Sequence, residues 1–109
     1  MTTIIGGPGD EQLTGTDLAD IIQAGGGDDT VLGLGGNDEL DGQSGDDLLH
    51  GGSGDDTLLG GAGADTLIGG SGRDLLLGDN ADLDVIDGGS GHDTMSFALA
   101  ANGVSIQDD

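Results

Sequence analysis

Aliphatic residues recur at every ninth place along most of this chain. Leu13, Ile22, Val31, Leu40, Leu49, Leu58, Leu67 and Leu76 keep that spacing without a break, and Ile86 and Met95 resume it after one inserted residue. In an extended chain side chains alternate between two faces, so the residues on either side of each aliphatic point the other way. The pattern predicts short β-strands that each bury one central side chain. One such strand buries too little to stand alone, whereas a stack of them shares a continuous interior.

Between the strands lie glycine-rich loops. With the nine-residue frame set at Gly6, loops begin at Gly6, Gly15, Ala24, Gly33, Gly42, Gly51, Gly60, Gly69 and Gly78, and a last one begins at Gly88. The sixth residues are Glu11, Asp20, Asp29, Asp38, Asp47, Asp56, Asp65, Asp74, Asp84 and Asp93, all acidic. Gly51-Gly52-Ser53-Gly54-Asp55-Asp56-Thr57-Leu58-Leu59 followed by Gly60-Gly61-Ala62-Gly63-Ala64-Asp65-Thr66-Leu67-Ile68 shows the unit at its clearest. Glycine pairs let the backbone enter left-handed regions, so the chain reverses tightly and aims carbonyls at a common point.

This unit resembles the RTX (haemolysin-type calcium-binding repeat) family, whose consensus is Gly-Gly-x-Gly-x-Asp-x-aliphatic-x. The resemblance covers most of the chain and implies an all-β fold. That fold is a right-handed parallel β-roll, a β-solenoid of nonapeptide repeats with two repeats per coil. Loops beginning at 24, 42 and 60 then stack on one edge, and those at 33, 51 and 69 on the other. It also implies calcium held between each loop and the one eighteen residues later. Carried over by position, Asp29 pairs with Asp47, Asp38 with Asp56, Asp47 with Asp65, and Asp56 with Asp74; Asp74 reaches Asp93 across the insertion. Asp20 with Asp38 and Glu11 with Asp29 match less well. Carbonyls around Gly25, Gly27, Gly36, Gly42, Gly45, Gly51, Gly52, Gly54, Gly61, Gly63, Gly70 and Gly72 would complete the shells. The expected occupancy is about four to eight Ca2+ ions, each needing roughly six to eight oxygens.

The frame weakens at both ends. Glu11 stands where Asp is expected, and the loop Gly15-Thr16-Asp17-Leu18-Ala19-Asp20 lacks its second and fourth glycines; Leu18 fits a positive-φ position poorly. Residues 78–87 read as a bulged coil with impaired sites. Residues 1–96 are thus expected to form the roll and residues 97–109 a C-terminal cap. In that cap Phe97, Leu99, Val104 and Ile106 alternate about Ala101-Asn102-Gly103, a hairpin signal.

Composition sharpens this picture. Of 109 residues 26 are glycine, and 33% are apolar with one aromatic, so a thick core is out of reach. The formal net charge is −21, with Arg73 the one basic residue besides two histidines. Such a chain has no basic patch for nucleic acid or anionic polysaccharide. Like charge at this density opposes compaction and favours disorder until something neutralises it. The absence of cysteine excludes disulfides and thiolate metal sites. Zinc lacks thiolates and paired histidines, and magnesium demands a tight octahedron and keeps its waters. The opening Met1-Thr2-Thr3-Ile4-Ile5 has no basic and apolar regions of a Sec-type signal, and no apolar run reaches membrane-spanning length.

The fifth loop residues (Asp10, Asp28, Asn37, Asp46, Asp55, Ala64, Arg73, His92) vary, so their side chains are expected to face solvent and not to ligate. His50 and His92 read as surface residues, and the carboxylates belong to repeated loops, so no catalytic set emerges. Leu59, Leu75 and Leu77 fall on one outer face, where the chain's own cap, a neighbouring domain or a second chain could pack.

The expected function is a calcium-binding, calcium-induced folding module of a secreted bacterial protein. By the resemblance, it is exported unfolded by type I secretion and folds in the extracellular medium. The alternatives are a structural adhesin or ice-binding array, and the non-catalytic C-terminal module of a secreted protease, lipase or epimerase. The mixed seventh places (Thr30, Glu39, Leu48, Thr57, Thr66, Leu75, Thr94) disfavour a flat ice-binding face.

Overall fold

A computed structural model describes residues 2–78, 84–96 and 105–107. Among these there is no helix, and so none long and apolar enough to cross a membrane. Twelve short strands follow one another: β1 (Thr2–Ile5), β2 (Gln12–Thr14), β3 (Asp20–Gln23), β4 (Thr30–Leu32), β5 (Glu39–Asp41) and β6 (Leu48–Gly52). They continue as β7 (Thr57–Leu59), β8 (Thr66–Gly70), β9 (Leu75–Leu77), β10 (Val85–Asp87), β11 (Thr94–Ser96) and β12 (Ser105–Gln107).

The strands sort into two parallel sheets of six, β1-β3-β5-β7-β9-β11 and β12-β10-β8-β6-β4-β2. Successive strands alternate between the sheets, so two repeats complete a coil and the third lies on the first. The register confirms this: Leu40 pairs with Leu58 and Leu58 with Leu76 in one sheet, and Val31 with Leu49 and Leu49 with Leu67 in the other. This is a parallel β-roll.

Its interior is one layer of side chains. Ile22, Val31, Leu40, Leu49, Leu58, Leu67, Leu76 and Ile86 are wholly buried, with Ile4, Leu13 and Met95 packed against the ends of the ladder. The inserted residue is absorbed in the loop before β10. Pairing moves there from eighteen residues to nineteen, as in Thr66 with Val85 and Leu67 with Ile86, and the inward phase is kept. Residues 79–83 of the expected bulge lie outside the described residues.

Alternation extends further than the strands themselves. The sixth, eighth and following first residues of each repeat all face inward, so Ala24, Gly33, Gly42, Gly51, Gly60 and Gly69 are buried along with the aspartates and aliphatics. One arm of the expected terminal hairpin lies among the described residues. Ser105–Gln107 pairs in parallel with Val85–Asp87, adding a rung to the roll, because β10 offers an open row of backbone donors and acceptors. Residues 97–104 and 108–109 lie outside the described residues.

On the outer face of the first sheet Leu59 pairs with Leu77, and Leu75 is the most exposed of the three expected leucines.

Candidate metal sites

Each repeat delivers one carboxylate to the rim of the aliphatic ladder. The sixth residue precedes the central aliphatic by two, so strand alternation turns both inward. Asp20, Asp29, Asp38, Asp47, Asp56, Asp65, Asp74 and Asp84 are each no more than 3% exposed. Burying an ionised carboxylate is costly unless it is paired or fully hydrogen-bonded.

One oxygen of each is satisfied from the coil before. The Asp29 N–H donates to Asp47 Oδ1 at 2.8 Å, Asp38 to Asp56 at 2.8 Å, Asp47 to Asp65 at 2.8 Å, Asp56 to Asp74 at 2.9 Å and Asp74 to Asp93 at 2.9 Å. The fold thus joins every pair expected from the regular loops. It also joins Glu11 to Asp29 and Asp20 to Asp38 by the same bond.

The second oxygen is different. Oδ2 of Asp29, Asp38, Asp47, Asp56, Asp74 and Asp93 is buried and accepts no hydrogen bond. A methyl group placed on Gly33 would lie 2.6 Å from Asp38 Oδ2 and 2.7 Å from the Gly51 carbonyl oxygen. The same cradle recurs at Gly42 (Asp47 Oδ2 and Gly60 O), Gly51 (Asp56 Oδ2 and Gly69 O) and Gly69 (Asp74 Oδ2 and Gly88 O). A carboxylate oxygen and a carbonyl oxygen therefore converge with no donor between them. Two acceptors so placed repel, and a small hard cation between them reverses the sign. The residues fit calcium in this respect: oxygen donors only, from two stacked loops. No group of three or more His, Cys, Asp or Glu side chains gathers among the described residues, so an ion here would be held by a carboxylate pair completed by carbonyls.

The electrostatics agree. Burial, reinforced by neighbouring carboxylates, pushes Asp56 up to about 7 and Asp38, Asp47 and Asp74 up to about 6. These groups resist ionising without a cation. Asp20 behaves oppositely. The Thr16 N–H donates to its Oδ2 at 2.6 Å and the Thr2 N–H to its Oδ1 at 3.0 Å, and its carboxyl is held below the usual range, chiefly by the Thr16 backbone bond.

Among the carbonyls expected around the loops, those of Gly25 and Gly52 accept N–H groups from the next coil (Ser44 and Ser71). Gly42 and Gly51 belong to the inward first place. Gly33, Gly60, Gly69 and Gly88, which share that place, were not anticipated, although extending the alternation two residues past each aliphatic would have marked them. The fifth residues face solvent as expected and have a further role. They are exposed, yet Asp10, Asp28, Asp46, Asn37 and Asp55 each accept the N–H of the fifth residue one coil on, at 2.7–2.9 Å. They form a ladder along each edge that aligns the loops.

A family model for the RTX calcium-binding nonapeptide repeat matches the chain four times, at residues 5–40, 14–49, 41–76 and 79–99. Comparisons with curated proteins and with solved structures return no match. The matches span most of the nine-residue repeats that fold here into parallel coils with paired inward aspartates, and the chain belongs to the family of RTX calcium-binding nonapeptide repeats.

Proposed function

We propose that the chain is a calcium-dependent folding module of a secreted bacterial protein, disordered where calcium is scarce and folded outside the cell. The observation that carries this reading is the set of buried Oδ2 atoms facing carbonyls without a donor. Each ion set between two loops would cancel two negative charges of the 22 on the chain and link two coils, so that binding free energy becomes folding free energy. At a calcium concentration ten times the dissociation constant, mass action supplies about 1.4 kcal/mol per independent site, or roughly 7 kcal/mol over about five sites. That is on the scale of a whole domain's stability, about 5–15 kcal/mol. Extracellular calcium modules bind at about 10⁻⁴–10⁻³ M, far above the calcium level of a cytoplasm. The ligands are Asp29, Asp38, Asp47, Asp56, Asp65, Asp74 and Asp93 with first-place carbonyls such as Gly51 and Gly69. Export by a type I channel suits a chain that stays unfolded until it meets calcium.

The test is a calcium titration followed by far-ultraviolet circular dichroism. A cooperative transition from disorder to β-structure is expected, with magnesium at equal concentration failing to substitute. A chain already folded in excess chelator, with a spectrum unchanged by calcium, would overturn the proposal.

A further inference from the structure

The first two loops are built differently from those that follow. In the loops beginning at 24, 33, 42, 51, 60, 69 and 88 the second residue has a positive φ, from 69° at Gln43 to 92° at Gly25. Gly7 and Thr16, at the equivalent places, do not. Changing the sign of φ there turns over the peptide that joins the first and second residues. In the later loops its carbonyl points at the coil before: Ala24 O lies beside Gly6 and Glu11, and Gly33 O beside Gly15 and Asp20, just as Gly51 O lies beside Gly33 and Asp38. In the first two loops its N–H points at the loop's own carboxylate. Gly7 donates to Glu11 Oε1 at 2.6 Å, and Thr16 donates to Asp20 Oδ2 at 2.6 Å. The Thr16 hydroxyl adds contacts of 3.0 and 3.2 Å to the two Asp20 oxygens.

The glycine losses that looked like decay therefore fit a second loop form. Leu18 stands where later loops have a positive-φ glycine, and it too avoids positive φ. Asp20 is as buried as the later aspartates, at 1% exposed, yet both its oxygens have donors. An oxygen that accepts a short N–H bond directs its lone pair at hydrogen, and the N–H dipole repels a cation at that place. The coil still docks without an ion: Glu11 and Asp20 donate their N–H groups to Asp29 and Asp38, and Thr2 of β1 donates to Asp20.

We infer that Glu11 and Asp20 ligate no ion, and that residues 2–23 form a calcium-independent N-terminal cap in which N–H and O–H donors replace the cation. This rests on the calcium reading of the later loops. The cap protects the open end of the solenoid and presents a preset edge on which the first ion-dependent coil assembles.

Native mass spectrometry of the calcium-loaded full chain tests it by counting bound ions. The double variant Glu11→Gln, Asp20→Asn is expected to bind the same number as the parent, and a loss of one or more ions overturns the inference. Asp56→Asn serves as the control and is expected to lose at least one ion. If it loses none, the calcium reading fails and the cap with it, which separates the two failures. Should the double variant not fold, an anomalous-scattering map of the calcium-loaded parent decides. No peak is expected within about 2.6 Å of a Glu11 or Asp20 carboxylate oxygen, the reach of a calcium ligand, and a peak there overturns the inference.

Discussion

Asp56 serves two neighbouring coils at once: its Oδ1 accepts the Asp38 N–H, and its own N–H donates to Asp74. Asp56→Ala is expected to weaken two ion sites, raising the calcium midpoint of folding and costing about 2–3 kcal/mol at a fixed calcium level, twice the single-site contribution. Glu11→Ala, in a loop with its own N–H donor, is expected to shift that midpoint little. Equal shifts in a circular dichroism titration would contradict the phase assigned to the sites. Backbone strain gives a second prediction. Leu34 has φ 74° and is 41% exposed, so its side chain bears left-handed strain while burying little. Leu34→Gly relieves about 1–2 kcal/mol of strain, partly offset by the entropy glycine adds to the unfolded chain. A rise of a few degrees in the melting temperature in calcium is expected. Gly54→Ala is the converse, at φ 98° with a methyl driven into the Gly36 carbonyl, and should lower it.

At the level of the strand, inward and outward positions carry different weight. Leu58 is wholly buried between Leu40 and Leu76 of the same sheet. Leu58→Ala is expected to cost about 2–5 kcal/mol, the range for truncating a core leucine. Denaturant unfolding in saturating calcium measures it. The outward Leu59, Leu75 and Leu77 sit one residue away on the other face, and replacing all three with Thr should leave calcium-induced folding intact, since Thr suits a strand and the inner ladder is untouched. Loss of folding in that triple variant would show that the outer leucines bear on stability.

For the whole molecule the governing quantity is charge, −21 over 109 residues. Folding without metal raises the Asp56 carboxyl to about 7 and those of Asp38, Asp47 and Asp74 to about 6, because burial disfavours the ionised form. A carboxyl whose folded pKa lies above its unfolded value destabilises the fold above the folded pKa, and that penalty fades as pH falls toward about 4. Asp20, held below its usual range, contributes in the opposite sense, and its stabilisation is lost only as pH falls through its depressed value. On the proposed sites, calcium and protons compete for the same four aspartates. The calcium midpoint is expected to rise as pH falls from about 7.5 to about 5.5, with protons released on binding. Titrations at three pH values check this, and a midpoint that is flat or falls would contradict it.

The nine-residue period was enough to determine the strands and the inward ladder from Val31 to Leu76, because alternation along a strand and the need of thin strands to stack act over one or two repeats. The parallel stacking at eighteen residues and the pairing of Asp29 with Asp47 or Asp56 with Asp74 came from the resemblance of the repeat to the RTX family. The tertiary structure alone decided other matters. It placed the first residue of each loop inside, turned the fifth residues into an edge ladder, set Leu34 and Gln43 at positive φ, and brought Ser105–Gln107 into the roll. It also decided which way the second peptide of each loop faces. Turning that peptide over changes little locally. Its direction is settled by what lies within hydrogen-bonding distance in the folded loop and in the coil eighteen residues away. The Thr16 N–H turns to Asp20 of its own loop, whereas the Gly51 carbonyl turns back to the cradle of Gly33 and Asp38 in the coil before.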